Sequence, residues 1–468
     1  MSTLNHAVSR IQNREQTAAQ TVMECMKRID AWNGELNAFI HVSPNAISDA
    51  RKLDEWFSTP NNVAPPLAGA PIAVKDLIDM VSMPATYGAV HKHPERNRED
   101  ASVVARLVEA GAVIVGKTNL DEYAFRTTSV NPHFGIARNP WNRDRIAGGS
   151  SGGSAISVAT KMSVAAIGTD TGGSIRIPAA LTGIVGYKPS FGAVSRFGVF
   201  PLASSLDHVG PMARTVGDVR TLMKVIAGRD ERDPDSYPLP QWESTLRTLH
   251  VNEVRIGIPV DDFFSVGDKE VLHAVARTAL GLDDCRTSKL QWHSAPVRIP
   301  LLAEAAQAQA IILSSEALYV HHERLQTEPD LYGAPTRRRL EDAKQYLGCE
   351  YVWAKNVQRA FQREIAEIFE SVDILMLPTT PIGAPRVAEE TVVLDGIKWA
   401  VPSLLTRYTN LWNLAGVPAI TLPCGLTDEG LPIGVQLVSG RFEDNKLLWI
   451  AERMESWLPR AVLPPEYE

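Results

Sequence analysis

The chain has 468 residues, of which 44% are apolar and 22% charged, the balance of an ordinary globular protein with a large core. Its 47 basic and 54 acidic residues leave a net charge of −7, which argues against a nucleic-acid partner that would need a basic surface. The polar N-terminus and the short apolar runs predict neither a signal peptide nor a membrane-spanning helix, so we expect a cytoplasmic protein without a membrane partner. The cysteines lie too far apart to indicate a zinc site or a disulfide framework: Cys25, Cys285, Cys349 and Cys424.

The pattern of apolar residues divides the chain into four stretches. Residues 1–65 have the periodicity of helices. In residues 66–220, short apolar runs alternate with glycine, serine and threonine, which predicts the strands and helices of an α/β sheet. Residues 221–400 are more charged and predict a helical cap that selects the substrate, and residues 401–468 return to strands of the same sheet. We therefore predict a single domain with one core.

Two clusters of glycine and serine, at residues 148–154 and 169–174, are the densest chemical signal in the chain. One such cluster alone is typical of a linker or a tight turn. Both clusters, however, join directly to apolar segments that should be buried. Glycines at such positions allow several backbone N–H groups to point the same way and to bind a phosphate or an oxyanion.

Two common motifs offer competing interpretations. Residues 111–118 match the phosphate-loop pattern G-x-x-x-x-G-K-[ST], but the intervening Ala-Val-Ile-Val predicts a buried strand preceded by a helix. Residues 148–152 match the nucleophile elbow G-x-S-x-G. The residues before that elbow do not resemble a strand, and the later histidines lie in no suggestive context. Both alternatives therefore lack the structural order that their motif requires.

A third interpretation combines the two clusters with Lys75, which stands in an apolar run where a lysine is unexpected. One alternative places this lysine on an edge strand, with its amine extended into solvent. In the other, burial lowers the pKa of the amine, so that a neutral lysine can take a proton from a serine.

These segments closely resemble the amidase signature family. The likeness is carried by GGSSGGS at 148–154, GTDTGGSIRIPAA at 168–180 and GYKPSFGAVSRFG at 186–198, and the intervals from Lys75 to Ser150 and from Ser150 to Ser174 fit the family's Lys–Ser–Ser triad. Specific motifs cover about half of the chain, and residues 220–370 match only loosely.

The resemblance implies an α/β fold in which helices cover both faces of a large central mixed β-sheet. It also implies that Ser174 attacks an amide carbonyl and forms an acyl-enzyme, while Ser150, which follows a cis bond from Gly149, relays the proton to neutral Lys75. No metal or cofactor is implied. The oxyanion hole would consist of the backbone N–H groups of Thr171, Gly172, Gly173 and Ser174.

The matched segments also contain residues to which the resemblance assigns supporting roles. Asp170 and Arg176 are expected to hold the nucleophile loop by hydrogen bonds rather than to contact the substrate. Ser151 is expected beside the triad, and Asp207 is expected to be structural.

The implied reaction is hydrolysis of a small carboxamide to a carboxylate and ammonia or an amine by a stand-alone amidase, for which a homodimer is left open. The alternatives are the glutamine-hydrolysing A subunit of the tRNA-dependent amidotransferase and a non-catalytic binding homologue. Two departures argue against the amidotransferase, since no glutamate follows Thr127–Ser129 and no acid precedes the segment that begins at Asn413. The candidate substrate-binding residues are Thr127, Thr128, Ser129, Arg338 and Trp412.

Overall fold

The computed structural model describes residues 3–59, 61–238, 253–283, 290–459 and 464–467, and its centre is a long β-sheet. The strands are, in chain order, β1 (Phe39–Val42), β2 (Pro71–Lys75), β3 (Val113–Thr118), β4 (Val130–Asn131), β5 (Gly135–Ile136), β6 (Ala165–Asp170), β7 (Val185–Lys188), β8 (His208–Ala213), β9 (Glu253–Pro259), β10 (Gln291–Val297), β11 (Ile374–Pro378), β12 (Thr391–Leu394), β13 (Ile397–Ala400), β14 (Ala419–Leu426) and β15 (Pro432–Val438). The central sheet has 11 strands in the order β1-β3-β2-β6-β8-β7-β14-β15-β11-β9-β10, while β4 pairs only with β5 and β12 only with β13.

Helices surround this sheet, and the predicted α/β fold with a large mixed sheet is confirmed. Within the described residues, no helix has the length and apolar character that spanning a bilayer requires. The helices are α1 (Leu4–Gln12), α2 (Ala18–Leu36), α3 (Ala46–Ser58), α4 (Ser102–Glu109), α5 (Gly152–Ala159), α6 (Arg176–Thr182), α7 (Val216–Ile226), α8 (Lys269–Asp283), α9 (Leu302–Thr327), α10 (Ala334–Ala343), α11 (Gly348–Ser371), α12 (Val401–Thr406), α13 (Asn410–Ala415) and α14 (Asp444–Glu455).

Strand β2 lies in the interior of the sheet, where it pairs in parallel with β3 on one side and β6 on the other. All five of its residues are buried, as expected of a parallel strand with neighbours on both sides and helices against its faces. Lys75 is the last residue of this strand. The alternative that placed Lys75 on an edge strand is therefore wrong.

Strand β3 contains most of the segment that matches the phosphate-loop pattern, and helix α4 precedes it. The order is thus helix then strand, as the apolar residues predict, rather than strand, loop and helix. The Lys117 amine lies 2.9 Å from Asp76 Oδ1, and both side chains are fully buried. A lysine enclosed in an ion pair is not available to a nucleotide phosphate.

The first and third stretches contribute strands to the sheet in addition to helices. Residues 1–65 contribute strand β1 as well as helices, and β1 pairs with β3 at one end of the sheet. Residues 221–400 are not only a helical cap, because β9, β10 and β11 from this stretch complete the other end. In β9, buried residues alternate with exposed charged ones such as Glu253 and Arg255, which hid the strand in a charged sequence.

The C-terminal stretch contributes two strands to the central sheet. Strands β14 and β15 pair with each other and lie between β7 and β11, so they join the early part of the sheet to its last part. Without them, β7 and β11 would not be connected. The C-terminal stretch is therefore the bridge across the middle of the sheet.

Candidate active site

Lys75 extends from the end of β2 into the interior and has no solvent exposure. Its Nζ lies 2.7 Å from Ser150 Oγ and 2.8 Å from Thr169 Oγ1. Burial lowers the pKa of Lys75 to about 7, although the charges of Asp121, Asp170 and Asp207 act in the opposite direction. Near pH 7, a large share of this lysine is therefore neutral and able to accept a proton.

Ser150 is fully buried beside this amine, and the Gly149–Ser150 peptide bond is cis, as the family resemblance implied. The next residue joins the two glycine–serine clusters. Ser151 N–H donates to the Ser174 carbonyl at 3.1 Å, and Ser151 Oγ donates to the Thr169 carbonyl at 3.1 Å. The structure thus brings together the segments of Lys75, Ser150 and Ser174.

Ser174 lies in the loop between β6 and α6 and is 5% exposed, at the wall of a cavity of about 940 Å³. Its hydroxyl makes no hydrogen bond with any residue that the structure describes. A serine whose oxygen faces a cavity and is not committed to another group can turn toward an incoming carbonyl.

One of the four N–H groups predicted to form the oxyanion hole already makes a hydrogen bond within the protein. Gly173 N–H donates to Asp170 Oδ1 at 2.8 Å, so it holds the loop instead of facing the cavity. Thr171, Gly172 and Ser174 all line the cavity, and their N–H groups make no hydrogen bond within the described part of the chain. Three of the four predicted donors therefore lie at the cavity, and the fourth holds the loop.

Asp170 and Arg176 form a fully buried ion pair beneath the nucleophile loop, with Arg176 Nη2 2.8 Å from Asp170 Oδ1. Burial alone would raise the pKa of Asp170, but the charge and hydrogen bonds of Arg176 hold that pKa well below its ordinary value. The carboxylate also accepts the N–H groups of Gly173 and Ile175. This geometry agrees with the expected role of the pair, which is to hold the loop.

The cavity in front of Ser174 lies between the sheet, helix α9 and the segments that carry β12, β13 and α12. It is lined by Ala124, Phe125, Arg126, Thr127, Thr171, Gly172, Ser174, Leu202, Gln309, Ala310, Leu313, Ser314, Ala334, Pro335, Arg338, Arg339, Glu390, Thr391, Ala400, Pro402, Ser403, Thr406 and Asn410.

The cavity contains two of the predicted substrate-binding residues, Thr127 and Arg338. Thr128 and Ser129 lie behind the wall, where both donate to Asp121. Trp412 was predicted as a pocket wall, but it is fully buried and its indole N–H donates to the Tyr408 carbonyl at 2.9 Å. Trp412 packs in the core because α13 turns its ring away from the cavity.

Sequence reasoning did not identify several polar residues of this cavity. Gln309 comes from α9, and Asn410 lies at the start of α13, so neither stands near a motif. Arg339 packs over the Phe125 ring at 4.1 Å and donates to the Phe125 carbonyl. Arg126 forms no hydrogen bond or ion pair with the residues that the structure describes, and neither does Arg338. Arg338 was among the predicted residues, and Arg339 stands beside it in a run of three arginines at 337–339.

Comparison with known proteins places this geometry in a family. The Amidase family model matches residues 20–448. The A subunit of glutamyl-tRNA(Gln) amidotransferase from Acidobacterium capsulatum is 35% identical over 471 residues, which cover 96% of this chain and 98% of that protein.

Solved structures agree over the whole chain. A structure described as part of a vestigial protein complex that reveals the origins of an s-triazine catabolic enzyme superimposes with a TM-score of 0.90 at 30% identity, covering 99% of this chain and 100% of that one. Peptide amidase from Stenotrophomonas maltophilia gives a TM-score of 0.84 at 27% identity, covering 99% and 98%. The chain therefore belongs to the amidase family and is a hydrolase of amide C–N bonds.

Proposed function

We propose that this protein hydrolyses a small carboxamide through an acyl-enzyme on Ser174. The observation that carries the proposal is that the buried Lys75 amine lies 2.7 Å from Ser150 Oγ. The segment of Ser150 is in turn hydrogen-bonded to that of Ser174, through the N–H of Ser151. A lysine with a lowered pKa, a relaying serine and a serine at a cavity wall are the parts that nucleophilic amide hydrolysis requires.

The steps follow from the order of these groups. Neutral Lys75 accepts the Ser150 proton while Ser150 accepts that of Ser174, and Ser174 Oγ attacks the carbonyl carbon. The oxyanion forms beside the N–H groups of Thr171, Gly172 and Ser174, where each such donor contributes about 3–4 kcal/mol. The proton then returns to the amide nitrogen, the C–N bond breaks, and water releases the acyl group by the same relay.

The charges of the cavity support a substrate that also carries a carboxylate. Arg126, Arg338 and Arg339 line the cavity, and Glu390 is the only acid among its described lining residues. Since Arg126 and Arg338 have no partner among those residues, their donors are available to a carboxylate of the substrate.

A second candidate is the hydrolysis of glutamine in the role that the A subunit has in an amidotransferase. It is favoured by 35% identity to the A subunit of a glutamyl-tRNA(Gln) amidotransferase over 96% of this chain. This similarity supports the amidotransferase function more strongly than the two sequence departures, after Thr127–Ser129 and before Asn413, support a stand-alone amidase. Glutamine also carries a carboxylate, and Glu390 is an acid that could receive its ammonium group.

The test is ammonia release from paired amides, one carrying a carboxylate and one its neutral counterpart, such as succinamate with butyramide and glutaramate with pentanamide, with glutamine added as a further substrate. We expect wild type to prefer the carboxylate member of a pair at least about tenfold, because Arg126 and Arg338 can each donate hydrogen bonds to the carboxylate. Ser174→Ala should release no ammonia and take no fluorophosphonate label. Equal turnover of both members would refute the carboxylate requirement.

The same panel separates the two candidates. Activity that is confined to glutamine and requires added amidotransferase partners would support the amidotransferase function. Activity of the isolated chain on other carboxylate-bearing amides would support a stand-alone amidase. A well-folded wild type that neither labels nor releases ammonia in either format would refute the catalytic role of Ser174.

A further inference from the structure

The loop of residues 121–129 forms one wall of the substrate cavity. Residues 124–127 line the cavity, whereas the two ends of the loop, at Asp121 and Ser129, lie beneath its surface and are buried. The loop begins shortly after the end of strand β3 at Thr118. Whatever holds the two ends together therefore decides the shape of this wall.

The carboxylate of Asp121 joins those ends. Its Oδ2 accepts the N–H groups of Thr128 at 3.1 Å and Ser129 at 2.9 Å, and its Oδ1 accepts the Thr128 hydroxyl at 3.2 Å. Asp121 is only 1% exposed, so these three donors replace the water that burial has removed.

The same carboxylate lies against the segment that carries Ser150. A Cβ atom at Gly149 would overlap Asp121 Oδ2 and would lie 2.8 Å from both Ser129 N and Ser129 Oγ. Ser129 Oγ also accepts the N–H of Gly152, at the start of α5, at 3.1 Å. The loop is thus fitted closely to the residues on both sides of Ser150, and its displacement would disturb them.

We propose that Asp121 is a positioning residue. It closes the 121–129 loop against Gly149 and so fixes the position of the cavity wall relative to the Ser150 segment. The proposal rests on the proposed function only for its kinetic consequences, since the closure itself is a property of the fold. It assigns a role to a residue outside the Lys–Ser–Ser triad.

The charge of Asp121 also affects the pKa of Lys75, which provides a second measurement of its role. Burial lowers the pKa of Lys75, and the charges that oppose this shift belong to Asp121, Asp170 and Asp207. Asp170 is neutralised by Arg176, and Asp207 accepts the Thr171 hydroxyl at 2.5 Å.

Asp76, the neighbour of Lys75 in the chain, is paired with Lys117. Around Asp121 itself, the cations are Arg126 and Lys75. Removing the Asp121 charge should therefore lower the pKa of Lys75 further, so that Lys75 becomes neutral at a lower pH.

The test compares Asp121→Asn with wild type on the best amide of the panel. We expect KM to rise about tenfold, because a charge-assisted hydrogen bond is lost. We also expect the acid limb of the kcat/KM profile to move to lower pH. Backbone hydrogen exchange of residues 124–129 should become faster. A purely structural defect would lower stability without moving the acid limb.

Two further variants isolate the effects. Thr128→Val removes one donor and keeps the charge, so it should raise KM and speed exchange at Ser129 without moving the acid limb. Asp444→Asn is the matched control, because Asp444 is also a buried carboxylate that accepts three donors, the Tyr187 hydroxyl at 2.7 Å and the N–H and hydroxyl of Ser190, and none of these residues lines the cavity. It should reduce thermal stability and leave KM and the acid limb as in wild type.

Wild-type KM, acid limb and loop exchange in Asp121→Asn would overturn the proposal. If that variant does not fold, Thr128→Val decides, since unchanged KM and exchange there would overturn it too. The exchange measurement needs no turnover, so it also separates the two proposals. A folded wild type without label or ammonia release refutes the proposed function, whereas unchanged exchange in Asp121→Asn refutes the closure of the loop.

Discussion

At the scale of the residue, the site depends on a lysine that the protein keeps partly neutral. Lys75 has no contact with solvent, and the only hydrogen-bond partners of its amine in the described chain are the hydroxyl groups of Ser150 and Thr169. Hydroxyl groups compensate a positive charge less than carboxylates do, so burial prevails and lowers the pKa of Lys75 to about 7. In the proposed mechanism, an amine takes the place that histidine has in many hydrolases.

This pKa predicts how activity changes with pH. Only the neutral form of Lys75 can take the Ser150 proton, and raising the pH through 7 converts the charged form to the neutral one. We expect kcat/KM to rise about tenfold between pH 6 and a plateau above pH 8, because only about a tenth of the lysine is neutral at one pH unit below its pKa. Initial rates on a panel amide would test it, and a flat profile over this interval would contradict it.

At the scale of the element, one arginine connects the nucleophile loop to the C-terminal part of the chain. From the first turn of α6, Arg176 donates to Asp170 on β6, to the Thr409 carbonyl at 2.9 Å and to Gln436 on β15 at 2.7 Å. It also donates to Asn413 on α13 at 2.6 Å. The loop therefore takes its shape from elements that lie far away in the sequence.

Arg176→Ala should lower the free energy of unfolding by about 3–5 kcal/mol, because it leaves the buried Asp170 charge uncompensated. Urea unfolding measures the loss, and fluorophosphonate labelling of Ser174 should fall with it. Arg337→Ala is the matched control, since Arg337 pairs with Asp330 at 2.8 Å on the surface. Its unfolding midpoint should stay near that of wild type, and an equal effect of both variants would contradict the role given to Arg176.

At the scale of the whole molecule, the order of strands interleaves distant parts of the chain. Strands β14 and β15 stand between β7 and β11, so the last stretch of the sequence occupies the middle of the sheet. In such a sheet, each C-terminal strand has a hydrogen-bonded neighbour along both of its edges. We therefore expect the sheet to fold as one cooperative unit.

A chain that ends after Ala400 should therefore fail to fold cooperatively, because β7 and β11 lose their partners. Circular dichroism and urea unfolding of soluble material test this. The matched control replaces residues 391–400 with a glycine–serine linker, which removes the β12–β13 hairpin from outside the central sheet. That variant should keep cooperative unfolding, and a cooperatively folded 1–400 fragment would refute the bridging role.

The amino-acid sequence by itself determined the fold class, the two glycine–serine clusters and the lysine that belongs with them. These features are local, since glycine, serine and one misplaced lysine are visible without knowing what packs on them. The strand at 113–118 and the C-terminal strands at 419–438 were equally readable from their apolar residues.

Only the tertiary structure decided what surrounds Ser174. Gly173 turned out to donate to Asp170, Trp412 to pack in the core, and Asp121 to close the cavity wall. Strand β9 was hidden in a charged stretch because its buried residues alternate with exposed charged ones. A cavity wall and the pKa of Lys75 depend on residues that are remote in sequence and adjacent in space, and no local pattern records such contacts. The lysine was conspicuous in the sequence, but only the fold that buries it lowers its pKa and supports the role proposed for it as a base.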